Sequence, residues 1–191
     1  MGQLPQSNDI SVEQYLTQYA NDTYEKWELV DGMVYAMGGA SSHHATICLN
    51  IASILKQSLK GKPCKPYMND LRVNVSNNYY YPDVVVDCGQ THVNRMTAEK
   101  PLLIIEVLSK STAFIDRTKK LLDYQEIISL QEYVLIEQTM MKVIIYRRHQ
   151  QWQGQTYQKG DTVAFASLDL VVPIEAIYED IVFGDNPLKV L

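Results

Sequence analysis

Two short apolar segments, each with an acidic residue near one end, constrain the fold and function of this chain most strongly. Residues 84–86 follow Asp83, and residues 102–105 precede Glu106. Short runs rich in Val and Ile predict buried strands. If the two strands are neighbours, their carboxylates meet at a shared edge of the sheet. Oxygen ligands that converge in this way suit a hard divalent cation with open positions for water and phosphate.

Each of these acidic residues also has a purely structural interpretation. Asp83 follows a proline, which marks a strand edge, where an aspartate commonly accepts a backbone hydrogen bond. Taken alone, the position of Asp83 at a strand edge favours this structural role. Glu106 stands inside an apolar run, where a carboxylate is costly to bury unless it is paired or bound to metal. Glu106 therefore gives more support to the functional interpretation, with a partnered structural glutamate as the alternative.

The segment after the second strand predicts a helix over residues 113–128 that would lie above the two carboxylates. Asp116, Lys120 and Tyr124 recur every four residues and would form one stripe of this helix. A lysine in this position could stabilise the negative charge that grows on a phosphate in the transition state. The alternative is a surface ion pair beside an aromatic ring. The apolar contacts of the helix are predicted at Leu121, Leu122 and Ile128.

The N-terminal part of the chain predicts a hairpin between two helices. Asp31-Gly32 separates residues 24–30 from residues 33–37, and a type I′ turn needs positive φ at both of its central positions. Ser11 is a candidate N-cap for a helix over residues 12–19. Ser41 or Ser42 would cap a longer helix, which Gly61 and Pro63 would end.

The remaining segments predict strands. Residues 65–69 and 71–75 are expected to pair, with Asn77-Asn78 as a turn. Residues 132–138 predict a buried strand, residues 141–148 and 151–157 a C-terminal hairpin, and Pro173 the start of a short helix. The expected fold is α/β (α+β): a central mixed sheet flanked by helices, with N- and C-terminal hairpins, in one domain over residues 1–191.

Composition restricts the class of protein. A formal net charge of -5 counts against a protein that coats DNA with a basic face. It does not exclude an enzyme that contacts nucleic acid locally, because metal ions can screen an acidic site. Cys48, Cys64 and Cys88 form no C-x-x-C pair, which predicts reduced thiols in a cytoplasmic protein. We expect no secretory signal and no membrane span, because no apolar run approaches the roughly 20 residues required.

Other candidate residues have weaker signals. His43 and His44 begin the long helix without a partner at metal-ligand spacing, and a packed or capping role is favoured for them. Glu28 lies among apolar strand residues and is either a third carboxylate of the site or a structural residue. Residues 79–81 are tyrosines that could stack on nucleic-acid bases, but ordinary strand positions are the favoured interpretation.

Four blocks of sequence occur in a specific order: WELVDGMVYAMGGASSHHATICLNIA, YYPDVVVDC, PLLIIEVLSKSTAFIDRTKKLLDY and EYVLIEQ. Together they resemble the Uma-two family of restriction-endonuclease-type proteins, within the PD-(D/E)XK nuclease superfamily. The match covers roughly residues 11–185. It implies a restriction-endonuclease-like core and a Mg²⁺- or Mn²⁺-dependent endonuclease that acts on nucleic acid, with DNA as the expected substrate.

The resemblance also implies roles for individual residues. Asp83 matches the motif's aspartate and Glu106 the acidic residue of the next strand, and both would bind metal together with the backbone carbonyl of Val107. Superfamily members carry a lysine two residues after that acid, but this chain has Leu108 there. Lys120 falls instead at the family's D-x-x-x-K-x-x-x-Y position. Lys119 is the weaker candidate by spacing.

The same motif includes Asp116 and Tyr124 as supporting residues. His44 matches the family's helix-start histidine, and Glu28 its early glutamate.

A homodimer is expected if both strands of a duplex are cut. Two other classes stay open. One is a degenerate nuclease fold that binds nucleic acid or a partner without cutting, which the acidic charge and the missing strand lysine favour. The other is a homo-oligomeric interaction protein whose carboxylates are structural.

Overall fold

The chain folds into a mixed α+β structure, and this computed structural model describes residues 9–22, 24–90 and 94–183. The helices of the described residues are α1 (Val12–Gln18), α2 (Ser42–Ser58), α3 (Ala113–Arg117), α4 (Lys119–Gln125) and α5 (Ile174–Ile177). The strands are β1 (Trp27–Val30), β2 (Met33–Ala36), β3 (Lys65–Met68), β4 (Val73–Val75), β5 (Asn78–Tyr80), β6 (Val84–Asp87), β7 (Pro101–Leu108), β8 (Glu132–Glu137), β9 (Lys142–Arg147), β10 (Gly154–Gln158), β11 (Thr162–Phe165) and β12 (Leu170–Pro173).

The central sheet has six strands in the order β10-β9-β8-β7-β6-β3. β7 and β8 are parallel, and all other neighbours are antiparallel, so the predicted mixed sheet is confirmed. Parallel neighbours need a crossover connection, and α3 and α4 lie in the segment that makes it. Nearly every residue of β6, β7 and β8 is buried, which explains why these strands have apolar runs instead of alternation.

Two layers cover this sheet. On one face, α2 contributes Ile47, Ile51 and Leu55 to an apolar cluster that also includes residues of β11, β12 and α5. On the other face, a second cluster joins α4 to residues of β4 and β5. No helix in the described ranges is long and apolar enough to cross a membrane.

Both predicted hairpins are confirmed. Val30 pairs with Met33 across the turn, where Asp31 and Gly32 have φ values of 48° and 74°, and β1 begins only at Trp27. β9 and β10 form the C-terminal hairpin. The two predicted N-caps are also present, since Ser11 accepts a hydrogen bond at the start of α1 and Ser41 at the start of α2.

The predicted pairing of residues 65–69 with residues 71–75 is wrong. β3 pairs with β6 at the edge of the central sheet, whereas β4 pairs with β5 in a second sheet of order β2-β1-β5-β4. Asn78 is a strand residue and not part of the turn. Its side chain accepts a hydrogen bond from the Asp31 backbone N–H (2.9 Å) and donates one to Asp123 (2.7 Å). These partners are distant in sequence, so the local pattern did not indicate them.

The predicted helix over residues 113–128 is interrupted at Thr118, where φ is −121° and ψ is −82°. Two of its predicted apolar contacts are wrong, because Leu122 is 64% exposed and Ile128 is 90% exposed. The face that turns toward the sheet is mainly polar, and its buried residues are Asp116, Lys120, Asp123 and Tyr124. Burial of charged groups on this face is possible because they pair with one another.

The prediction that all three cysteines are reduced thiols is wrong, because Cys64 and Cys88 form a disulfide. Lys65 pairs with Asp87 at the ends of β3 and β6, and the two cysteines are the next residues outward on these strands. The sheet register therefore brings the cysteines together, although they are 24 residues apart in the sequence. Cys48 is the free cysteine and is buried in α2.

A pair of leucine substitutions tests this assignment of buried faces. Leu55→Ala removes a fully buried side chain from α2 and should lower the free energy of unfolding by about 2–5 kcal/mol. Leu122→Ala, on the exposed face of α4, should change it by less than about 0.5 kcal/mol. Urea unfolding of the disulfide-bonded protein measures both. Equal losses would contradict the described packing of α4.

Candidate active site

Asp83 and Glu106 lie at the same edge of the central sheet. Val84 pairs with Ile105 in the antiparallel pair of β6 and β7, so Asp83 and Glu106 are the next residues outward in the same register. Asp83 Oδ2 accepts a hydrogen bond from the backbone N–H of Val107 at 2.7 Å. This contact holds the Asp83 carboxylate against the strand that carries Glu106.

Lys120 is buried among three carboxylates. Its Nζ donates a hydrogen bond to Glu106 Oε1 at 3.1 Å, and it lies 3.2 Å from Asp116 Oδ1 and 3.3 Å from Glu28 Oε1. Only 4% of the residue is exposed. The structure therefore brings together the predicted stripe of α3 and α4, the acid of β7 and the early glutamate of β1.

Lys119 points away from this cluster. Its Nζ lies 2.9 Å from Asp31 Oδ1 and 2.9 Å from Asp123 Oδ1, and its side chain is 32% exposed. Of the two neighbouring lysines, Lys120 is the one that contacts Glu106.

Tyrosines form the wall of the cluster next to α4. Tyr124 donates a hydrogen bond to Glu106 Oε1 at 3.2 Å, and its ring packs edge-on against Tyr80 and Tyr133. Tyr133 donates to the Asp116 backbone carbonyl at 2.9 Å. Sequence reasoning missed Tyr133, because nothing in a buried strand shows which of its residues will face a charged cluster.

Glu28 reaches the cluster from the second sheet. Its Oε1 accepts a hydrogen bond from the Tyr81 backbone N–H at 2.9 Å and is the atom that approaches Lys120.

The burial of the neighbouring tyrosines agrees with the interpretation that they are ordinary strand residues. Tyr80 is fully buried and donates to Asp123 at 2.5 Å, so its ring is not available to stack on a base.

His44 approaches Asp83 from α2 and contacts the same carboxylate oxygen that accepts the hydrogen bond from Val107. Its Nε2 is 3.2 Å from Asp83 Oδ2, and its Nδ1 is 3.6 Å from Cys48 Sγ, one helical turn along α2. The capping interpretation fails for His44, because the cap is Ser41, which accepts a hydrogen bond from the His44 backbone N–H. Sequence reasoning missed Cys48, although the H-x-x-x-C spacing places both side chains on one helix face. His43 packs against Phe183.

The electrostatics of the cluster favour an added cation. Burial raises the pKa of Glu106 well above its ordinary value, and the charges of Asp116, Asp83 and Glu28 raise it further, against the opposing effect of Lys120. Burial would lower the pKa of Lys120, but the surrounding carboxylates outweigh this effect and raise it. Lys120 therefore stays charged, and the carboxylates exceed the positive charge available to pair with them.

The donor atoms at this edge fit a hard divalent ion. Asp83 and Glu106 offer carboxylate oxygens, which Mg²⁺ and Mn²⁺ prefer. The N–H of Val107 points toward Asp83, and in a strand the carbonyl of the same residue points to the same side. Asp116 Oδ1 is also buried and accepts no hydrogen bond from the described residues, because its contact with Lys120 lacks hydrogen-bond geometry.

A comparison with protein families identifies the family of this chain. The sequence model of the Uma2 family, described as "Putative restriction endonuclease", matches residues 12–175. The chain belongs to the Uma2 family. The resemblance inferred from the four sequence blocks is therefore confirmed.

Two proteins of Synechocystis sp. (strain ATCC 27184 / PCC 6803 / Kazusa) are similar to this Uma2 protein. "Uncharacterized protein slr1290" is 32% identical over 179 residues, which cover 91% of this chain and 94% of the relative. "Uncharacterized protein sll1609" is 32% identical over 150 residues, which cover 75% of this chain and 84% of the relative.

A solved structure has the same fold. The crystal structure of "a putative nuclease belonging to DUF820" from Anabaena variabilis ATCC 29413 matches with a TM-score of 0.76 and 18% sequence identity. The match covers 88% of this chain and 97% of that chain. The predicted restriction-endonuclease-like α+β fold is therefore confirmed.

Substitutions of Lys120 and Lys119 should show how much more the buried ammonium contributes to the free energy of unfolding than the partly exposed one. Lys120→Met leaves three carboxylates without their counter-charge and should lower the free energy of unfolding at neutral pH by about 3–5 kcal/mol. Lys119→Met should cost less than about 1 kcal/mol. Urea unfolding across a pH series measures both.

The direction in which the loss of stability of Lys120→Met changes with pH follows from the protonation of the carboxyl group that Lys120 pairs with. Burial already raises the pKa of Glu106, and without the opposing charge of Lys120 it rises further, so the folded state binds more protons than the unfolded state. The loss of stability should be small below about pH 4 and should grow toward neutral pH. A pH-independent loss, or equal effects of both substitutions, would contradict the pairing described for Lys120.

The imidazole of His44 should titrate above 6.5. Burial would lower its pKa, but the hydrogen bond and charge of Asp83 outweigh burial and raise it above that ordinary value. Asp83→Asn should therefore lower the midpoint, whereas Asp70→Asn, at an exposed position, should leave it unchanged. NMR titration of the histidine ring protons measures the midpoint. A midpoint that does not respond to Asp83→Asn would rule out this ion pair in solution.

Proposed function

We propose that this Uma2 protein is an endonuclease that hydrolyses phosphodiester bonds of DNA with Mg²⁺ or Mn²⁺. The observation that carries the proposal is the position of the Lys120 ammonium, 3.1 Å from Glu106 at the edge where Asp83 also lies. The descriptions of the family and of the Anabaena variabilis structure support a nuclease-type reaction.

The metal ligands in this proposal are Asp83, Glu106 and the backbone carbonyl of Val107. A divalent ion bound there supplies Lewis-acid activation of water and of the scissile phosphate. Asp83 Oδ2 is occupied by the Val107 N–H and by His44, while Oδ1 accepts no hydrogen bond from the part of the chain that the structure describes. This arrangement leaves Oδ1 to face a cation.

Lys120 orients the attacking water in this proposal. Its ammonium is held by Glu106, Asp116 and Glu28 and is almost fully buried, which favours contact with a water molecule at the edge over direct contact with a bulky phosphate. A preorganised charge of this kind also stabilises the negative charge of the transition state.

The helix supplies the amine that the strand lacks. Leu108 occupies the position where superfamily members carry a lysine, and it is buried in the same apolar cluster as Tyr124. Lys120 instead approaches Glu106 from α4, so the missing strand lysine does not deprive the site of an ammonium.

His44, Glu28, Asp116 and Tyr124 are positioning residues. His44 holds Asp83 from α2, and Tyr124 holds Glu106 from α4. Glu28 and Asp116 keep Lys120 charged and limit its movement. All four act on a metal ligand or on Lys120, so their loss should impair the reaction less than loss of the ligands themselves.

Cleavage of supercoiled plasmid in Mg²⁺ or Mn²⁺ tests the assignment. Asp83→Asn and Glu106→Gln should each lower the rate by at least about 100-fold, and Lys120→Met by a similar factor. Asp70→Asn and Lys119→Met serve as matched controls and should retain activity. Circular dichroism establishes that each variant is folded. Undiminished cleavage by both acid variants would refute the assignment.

DNA binding measured alongside cleavage distinguishes the nuclease from a nuclease fold without catalytic activity. A wild-type protein that binds DNA in Ca²⁺ but cuts neither DNA nor RNA in Mg²⁺ or Mn²⁺ would be a degenerate nuclease fold. We propose a homodimer for double-strand cuts, since one site cuts one strand. Sedimentation of an active protein that linearises plasmid as a monomer would contradict the dimer.

A further inference from the structure

A second group of potential metal ligands lies on the α2 side of Asp83. His44, Cys48 and Asp83 each offer one ligand atom, and these three atoms all lie within 4.8 Å of one another. The group contains a nitrogen and a sulfur ligand, unlike the oxygen ligands of Asp83 and Glu106. Imidazole and thiolate favour Zn²⁺ and related transition metals over Mg²⁺.

The distance between the sulfur of Cys48 and one ring nitrogen of His44 suits a tetrahedral zinc site. Zn–S and Zn–N bonds of about 2.3 and 2.0–2.1 Å at a tetrahedral angle place the sulfur and nitrogen about 3.6 Å apart. Cys48 Sγ and His44 Nδ1 are 3.6 Å apart. Asp83 Oδ2 lies 3.2 Å from the other ring nitrogen, Nε2, and Asp83 precedes β6 and is not within the strand. Its carboxylate must therefore shift toward the Cys48 side of the ring to become a ligand of the same ion.

The surroundings of Cys48 argue against a role as a nucleophile. The residue is only 2% exposed, and burial together with the charges of Asp83 and Glu106 raises the pKa of its thiol. A cation that binds sulfur directly would displace the thiol proton, as zinc does in cysteine-containing sites.

We propose that His44, Cys48 and Asp83 form a binding site for Zn²⁺-class transition metals that competes with the Mg²⁺ site for Asp83. Zinc binding then draws the Asp83 carboxylate toward α2, so that Oδ1 no longer faces the oxygen site, and inhibits cleavage. The inhibition rests on the proposed nuclease function, whereas the zinc site itself does not.

Cobalt spectroscopy tests the site without reference to activity. Co²⁺ replaces Zn²⁺ in such sites, and a bond to thiolate produces a charge-transfer band in the near ultraviolet. All three cysteines lie in the described residues, and the disulfide of Cys64 and Cys88 leaves Cys48 as the thiol that can bind. The metal-free, disulfide-bonded protein should therefore develop the band on addition of Co²⁺ and lose it on addition of Zn²⁺.

Substitutions assign the ligands. Cys48→Ser and Cys48→Ala should both abolish the band and weaken Zn²⁺ binding by about 100-fold or more, since changes in outer-shell partners alone cost 10–100-fold. Glu106→Gln should retain the band. The use of both serine and alanine guards against a folding defect in one of them. Absence of the band in the wild type, or its persistence without Cys48, would overturn the proposed site.

Cleavage assays then test the competition. Zn²⁺ should inhibit Mg²⁺-dependent cleavage by the wild type, and Cys48→Ala should be active in Mg²⁺ but resistant to Zn²⁺. Equal inhibition of both proteins would overturn the competition. A protein that shows the cobalt band but cuts no nucleic acid would contradict the nuclease proposal and leave the metal site established.

Discussion

The burial of one ammonium among three carboxylates is the constraint on which the rest of this structure depends. Lys120 joins Glu106 on the central sheet, Glu28 on the second sheet and Asp116 on α3. Buried charges are tolerated only when they are paired and hydrogen-bonded. The three elements must therefore keep their relative positions for any one of these charges to remain paired.

This constraint explains why the α3–α4 segment departs from an ordinary amphipathic helix. Its buried face carries Asp116, Lys120 and Tyr124, while Leu122 is exposed. The break at Thr118 does not separate the stripe, since Lys120 still lies 3.2 Å from Asp116. Charge pairing, together with the apolar contacts of Tyr124 and Leu121, sets the orientation of this segment above the sheet.

Asp83 links two sets of possible ligands with different metal preferences. Toward β7 it accepts a hydrogen bond from the Val107 backbone N–H and lies beside the carboxylate of Glu106, and toward α2 it lies near His44 and Cys48. In our proposals, a hard ion on the first side serves hydrolysis and a softer ion on the second side blocks it. Which of the two ions binds depends on the softness of the ligands on each side of Asp83, and not on the affinity of one fixed set of ligands for both ions.

The sequence alone determined most of the elements and a set of candidate site residues, because hydrophobic runs, caps and the Asp-Gly turn act locally. It placed Asp83 at the start of one strand and Glu106 near the end of the next, and it put Asp116, Lys120 and Tyr124 on one stripe. Only the tertiary structure decided that β3 pairs with β6, that Cys64 meets Cys88, and that Lys120 and not Lys119 faces Glu106. These outcomes depend on contacts between segments distant in sequence, which local patterns do not encode.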